Sequence, residues 1–213
     1  MSHADTRPVG SVTRELGRRE HEGKPVHALV ASRVVGASRE DLWDALTNAA
    51  RIPKWFLPIT GDLRAGGSYR FEGNAGGEII ACEPPERVAL TWRMHGDVSW
   101  VTVTLSEMPE GRTEVRLEHL AQFPPEFWEE FGPGAVGIGW DQALYGLEEH
   151  FSPTPTVVPE TAEAWIASED GKDFTRRSSA AWCEASIALG TDRDAARAAA
   201  VRVTAFYTGE GTP

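Results

Sequence analysis

Hydrophobic and polar residues change their period several times along this chain, and each change predicts an element. From His27 to Val35 they alternate, with Leu29, Ala31 and Arg33 on one side and Val30, Ser32 and Val34 on the other. That is a strand, although neither side is wholly apolar. Ser38 followed by Asp41 reads as a capping box. Leu42, Ala45, Leu46 and Ala49 then recur at helical spacing until Pro53 stops or kinks the run. Trp55, Phe56, Leu57 and Pro58 make a large apolar corner that must be buried somewhere.

Period two then returns between tight turns. Tyr69 and Phe71 share a face after Gly66-Gly67, and the turn from Asn74 to Gly77 leads into a strand over 78–83. Pro84-Pro85 cannot continue a central ladder and marks a corner. Val88, Leu90 and Trp92 share the next face. Val101, Val103 and Leu105 lie opposite Trp100, Thr102 and Thr104, and Val115, Leu117 and His119 are aligned. Successive hairpins of this kind predict an antiparallel meander.

From Pro125 the period is helical. A short turn runs to Phe131, Gly132-Pro133-Gly134 is a break, and Trp140, Leu144, Leu147 and Phe151 stripe a helix from Gly137 long enough to span a sheet. Pro153 to Pro159 reads as a stiff extended linker. Beyond it, Phe174, Ser178, Ala181, Trp182, Ala185 and Leu189 share a helical face that Gly190 ends. Thr191 with Asp194 suggests a second capping box, and Ala195, Ala198, Ala199, Arg202, Val203 and Phe206 continue the spacing to Gly209. The expectation is a helical hairpin laid on the preceding module or on a second copy of the chain, with Phe174, Trp182 and Phe206 buried. Residues 1–10 read as a polar, mobile arm. Ser11–Leu16 is either a short strand hairpinned onto the one at 26–35 or part of a disordered arm. The boundaries are therefore an arm at 1–24, a main domain at 25–152, a linker at 153–158 and an extension at 159–213.

Composition narrows the function. Of 213 residues, 41% are hydrophobic and 25% charged, as in folded domains. The net charge of −11 and the absence of a Lys/Arg stripe argue against nucleic acid, since Arg18-Arg19 and Arg176-Arg177 are isolated pairs. Cys82 and Cys183 are too far apart for a disulfide framework or metal spacing, so both are expected as reduced thiols with no metal site. No apolar run reaches bilayer length and the N-terminus lacks a signal-peptide core, which makes a cytoplasmic protein without membrane contact the expectation.

Candidate chemistry is sparse. Gly132-Pro-Gly134-Ala-Val-Gly137 matches the letters of a dinucleotide fingerprint, but no strand precedes it, so no cofactor is expected. The glycines are read instead as letting the chain swing and the long helix start close to the sheet. His119, at a strand end on an inward face, is either a general base or a histidine bonded to backbone. Glu78 would join it as an acid if the strand turned it inward, and Tyr69 offers a polar handle. Trp55, Phe56, Tyr69, Phe71, Trp92, His119, Phe123, Trp140 and Leu144 are candidates to line a ligand cavity between helix and sheet, where core and pocket lining overlap.

Residues 25–152 resemble the START-like (SRPBCC) superfamily, and within it the bacterial family related to the activator of heat-shock-protein-90 ATPase. The run Ala37–Asn48, Ile52–Phe56, Gly66–Phe71, Gly77–Ile80, Pro85–Trp92, Thr113–His119 and Gly139-Trp140 carry the resemblance in that order. It implies an α+β helix-grip fold: a curved antiparallel sheet of six or seven strands around the 137–151 helix, with two short helices near 38–55 at its mouth. It also implies a hydrophobic ligand. Three functions follow as expectations: a protein binding a small hydrophobic molecule without a catalytic set; an enzyme of the cyclase, aromatase or hydrolase kind using His119; or an interaction module, such as a chaperone ATPase regulator or a homodimer joined by the C-terminal helices. The extension lies outside the resemblance.

Overall fold

Two long strands set the frame. In the computed structural model, which describes Val9 and residues 11–210, β1 (Thr13–His21) pairs antiparallel with β2 (Lys24–Val35) along its whole length. Glu22 and Gly23 between them both have positive φ, the conformation a two-residue hairpin needs to match strand twist. The segment is thus a full strand, longer than the Ser11–Leu16 expectation. The arm expected at 1–10 lies, apart from Val9, outside the described residues.

The chain continues through α1 (Arg39–Thr47), a 3-10 turn (Ile52–Lys54) and β3 (Ile59–Gly61), β4 (Ser68–Phe71), β5 (Gly76–Glu83), β6 (Arg87–Met94), β7 (Asp97–Met108) and β8 (Arg112–Ala121). Ser38 caps α1 by accepting from the Asp41 amide. The strands form one curved, unclosed antiparallel sheet in the order β1-β2-β8-β7-β6-β5-β4-β3. It has eight strands rather than six or seven, because β1 and the three-residue β3 join its edges.

A short helix α2 (Pro125–Phe131) leads into α3 (Gly134–Phe151), which lies across the sheet. Leu144 and Leu147 of α3 pack with Leu29, Ala31, Val35, Leu105 and Val115. Arg33 belongs to the same inward row, and its partner explains it: the guanidinium, 2% exposed, pairs with Glu148 of α3. Burial pushes its pKa down to about 10. Ala28 and Val30, on the other side of β2, are buried as well, which is why alternation could not choose a core face.

After a linker come α4 (Pro159–Ala167), α5 (Glu169–Ala188) and α6 (Arg193–Thr208). The linker is not a free spacer. Glu149 is buried and accepts from the Thr156 and Val157 amides and the Thr156 hydroxyl. The α5–α6 hairpin sits on α3 of the same chain. A β-carbon at residue 134 would meet Val203 of α6 at 2.8 Å, and one at residue 137 would overlap the indole of Trp182 on α5. The fingerprint-like glycines therefore make room for the hairpin, not for the sheet.

Asp141, fully buried on α3, binds this junction. Its Oδ2 accepts from Arg14 Nε at 2.9 Å, from the Trp182 indole at 3.2 Å and from the Ser178 hydroxyl. Burial pushes its carboxyl pKa up against the opposing pull of Arg14.

Three expectations for the extension are corrected. Phe206 is 74% exposed rather than buried, because the inward row of α6 is Ala196, Ala199 and Val203. Asp192, not Thr191, caps α6, accepting from the Asp194 and Ala195 amides. Pro159–Ala167 adds a third helix to the two expected in the extension.

Candidate functional site

Between α3 and the strands away from β1 the packing is incomplete. A hollow of about 110 Å³ remains there, a gap against the usual close packing of protein interiors. Its floor comes from strands whose period-two faces point the same way. Register aligns Leu117 with Val103, Val103 with Val88, and Val101 with Leu90. Helix α3 contributes Trp140, Ala143, Leu144 and Leu147, while Leu46, Thr47, Ile52, Trp55 and Phe56 cover another side. The two short helical segments expected near 38–55 thus border the cavity.

Two glycines shape this wall. Gly77 stands across from Tyr69 in the β4–β5 ladder, and a β-carbon there would overlap Thr91. The close approach lets the Tyr69 hydroxyl donate to the Thr91 carbonyl at 2.8 Å. Burial pushes the Tyr69 phenol well above its ordinary pKa, so it stays protonated. Gly146 on α3 faces the Trp55 carbonyl, which a β-carbon would meet at 2.7 Å. That contact seats the Ile52–Phe56 corner on the helix, and the Trp55 indole anchors it further by donating to Ala45 O at 2.9 Å.

The aromatic candidates come together. Phe56 meets Phe71 edge-on at 5.0 Å, Phe71 is tilted on Trp92 at 5.8 Å, and Trp92 meets Trp140 at 4.9 Å. Trp55, Phe56, Tyr69, Phe71, Trp92, Trp140 and Leu144 all line the hollow.

His119, Phe123 and Glu78 do not. His119 lies behind Trp140, 4% exposed. Its Nδ1 accepts from the Trp140 indole at 3.0 Å, which puts its proton on Nε2, bonded to the Ser99 hydroxyl at 2.7 Å. Ser99 in turn donates to the Trp92 carbonyl at 3.1 Å. Both ring nitrogens are engaged, and burial pushes the pKa down to about 4, so the imidazole is neutral near pH 7. Neither arm of the sequence reading described this, for its partners are two side chains rather than backbone or substrate. Glu78 points outward beside Arg93, at 3.9 Å, so no His119–Glu78 pair forms. Phe123 stacks with Trp128 at 5.3 Å near His27, away from the hollow.

Several lining residues were missed. Val88, Leu90, Val101, Val103, Val115 and Leu117 sit on the inward faces already read from the alternation, so their periodicity was the available signal. Cys82 had none: a register shift between Ile79 and Ala81 turns it inward. Among the described residues no cluster of metal-ligating side chains occurs, and no helix is long and apolar enough to cross a membrane.

This helix-grip architecture has relatives. Residues 36–152 match the family described as Activator of Hsp90 ATPase homolog 1-like protein, and the chain belongs to that family. The crystal structure of CalU16 from Micromonospora echinospora is 30% identical, with a TM-score of 0.64 over 82% of this chain and 97% of that one. Its solution structure gives 0.69 over 84% and 97% at the same identity. Residues up to the end of α3 cannot supply that share, so the likeness to CalU16 runs into the C-terminal helices. MLL2253 from Mesorhizobium loti, 26% identical, covers 58% of this chain and 95% of its own, with a TM-score of 0.51. No curated protein matches the chain.

Proposed function

We propose that this protein holds a small apolar molecule in the hollow between α3 and the sheet and performs no chemistry on it. One observation carries this reading: the cavity is walled by aliphatic and aromatic side chains, as ligand pockets are. The acid–base alternative lacks such support. His119 stands outside the wall with both nitrogens engaged, and Glu78 faces outward. The two cysteines are free, in keeping with action in the cytoplasm.

The test is native mass spectrometry of the purified full chain, followed by thermal shifts against a panel of apolar metabolites. A bound molecule, or a shift lost in Val103→Phe, is expected. A chain that carries nothing and shows no shift with any apolar compound would sink the reading.

A second reading, a homodimer through the C-terminal helices, has its own observation. Phe206 is 74% exposed on α6 and Val201 46%, an apolar surface that the α3 contact leaves uncovered. Light scattering that returns a monomer mass at high concentration would count against it.

A further inference from the structure

What a ligand can carry into the hollow is set by the chemistry of its wall. No Asp, Glu, Lys, Arg or His is among the residues that line it. The polar groups that do line it are mostly turned to protein partners. Tyr69 donates to Thr91 O, Thr47 to Trp43 O at 2.8 Å, and the indoles of Trp55 and Trp140 to Ala45 O and His119 Nδ1. Trp92 differs: among the described residues its indole N–H has no acceptor, and it is not one of the buried unpartnered side-chain atoms, so it is open to one. The rings do not converge as a cage for a cation either, because Phe56, Phe71, Trp92 and Trp140 pack against one another in T-shaped and tilted pairs.

Size restricts the ligand further. The hollow, about 110 Å³, is near the ~150 Å³ of a dry cavity that accepts benzene and below the ~300–1,000 Å³ of drug-sized pockets. An ion drawn into it would lose its water and find no countercharge, a penalty far larger than the gain from burying one ring.

Resting on the reading of the hollow as a ligand site, we propose that it admits neutral single-ring compounds, excludes carboxylates, phosphates and ammonium ions, and offers Trp92 as a donor to a ligand carbonyl or ether oxygen. The ligand class is thus an uncharged aromatic or alicyclic molecule with at most an acceptor at one edge.

Titration of the full chain with toluene, acetophenone, benzoate and benzylammonium near pH 7 tests this, since the four share one ring and differ in charge and acceptor. Toluene and acetophenone should bind, displace each other and perturb tryptophan emission, while the two ions should bind at least about a hundredfold more weakly. Trp92→Phe removes wall as well as donor, so it should weaken both rings, acetophenone several-fold more than toluene. Benzoate or benzylammonium competing with toluene within about tenfold of its affinity would overturn the charge exclusion while leaving the ligand site standing. A Trp92→Phe protein that changes its affinity for both neutral rings equally, or for neither, would overturn the donor role. Silence from all four probes would instead remove the ligand site itself.

Discussion

Trp182 of α5 lies directly on Gly137 of α3, so close that a β-carbon at residue 137 would overlap its indole. The same indole donates to Asp141 one helical turn further on. A glycine and an aspartate on one face of the central helix therefore receive a single tryptophan from the extension. The adjoining face, through Trp140, Leu144 and Leu147, walls the hollow, and Trp182 shares a core cluster with Leu144 and Leu147.

Gly137→Ala should destabilise the chain by about 1–3 kcal/mol, the usual range for overpacking a filled site. Gly139→Ala, two positions away, should be neutral or stabilising by up to ~1 kcal/mol, because alanine favours a helix. The atom it would meet, the Tyr207 hydroxyl, is at an ordinary 3.7 Å. Urea unfolding of the two variants side by side checks this. Equal effects would show that Trp182 does not need the glycine.

Asp141 and Arg14 form a buried pair, with side chains 0% and 6% exposed. Asp141→Leu should cost about 3–5 kcal/mol by leaving the guanidinium without its carboxylate. Adding Arg14→Met should recover more than half of that loss, since no charge is then left stranded. A double variant as unstable as the single one would place the damage in Ser178 and Trp182 instead.

The buried imidazole of His119 makes stability depend on pH. Its pKa lies near 4 when folded against 6.5 as its ordinary value, so the unfolded chain binds the extra proton first as pH falls. Its contribution is therefore complete above about pH 6.5 and is lost as pH drops to about 4, up to roughly 3 kcal/mol. His119→Gln, which can still accept from Trp140 and donate to Ser99, should flatten that slope. Denaturant melts at several pH values are the measurement, and an unchanged slope in the variant would exclude His119 as its source.

Gly146→Ala should push the Trp55 carbonyl off α3 and shift the Ile52–Phe56 corner, which borders the hollow. Toluene affinity should fall several-fold, and stability by about 1–3 kcal/mol as the overpacked corner shifts. Unaltered toluene binding would mean that this corner does not shape the cavity.

Much of this was legible locally. Alternation over Val88–Trp92, Val101–Leu105 and Val115–His119 named the inward faces, and the helical stripe through Trp140, Leu144 and Leu147 named the helix they meet. Those periods follow from backbone geometry, which each segment carries in its own residues. The motifs at Ile52–Phe56 and Gly139-Trp140 gave the family, and seven of the nine lining candidates do line the hollow.

Pairings between distant segments were not legible. Cys82 turns inward through a bulge that no alternation reports, and no local signal told which way Glu78 faces. The glycines at 134 and 137 looked like a loop motif until Val203 and Trp182 were seen against them. Of the row predicted on the last helix, Ala199 and Val203 are buried but Phe206 is exposed, because periodicity shows which residues share a face and not how far along the helix its neighbour reaches. By itself, the sequence determined the periods, the Ser38 cap, the turns and the family. Tertiary structure alone decided the partners of His119 and Asp141, the seat of the C-terminal hairpin and the volume left under α3. Each of these is a distance between residues far apart in the chain, and such distances are set by how whole elements pack.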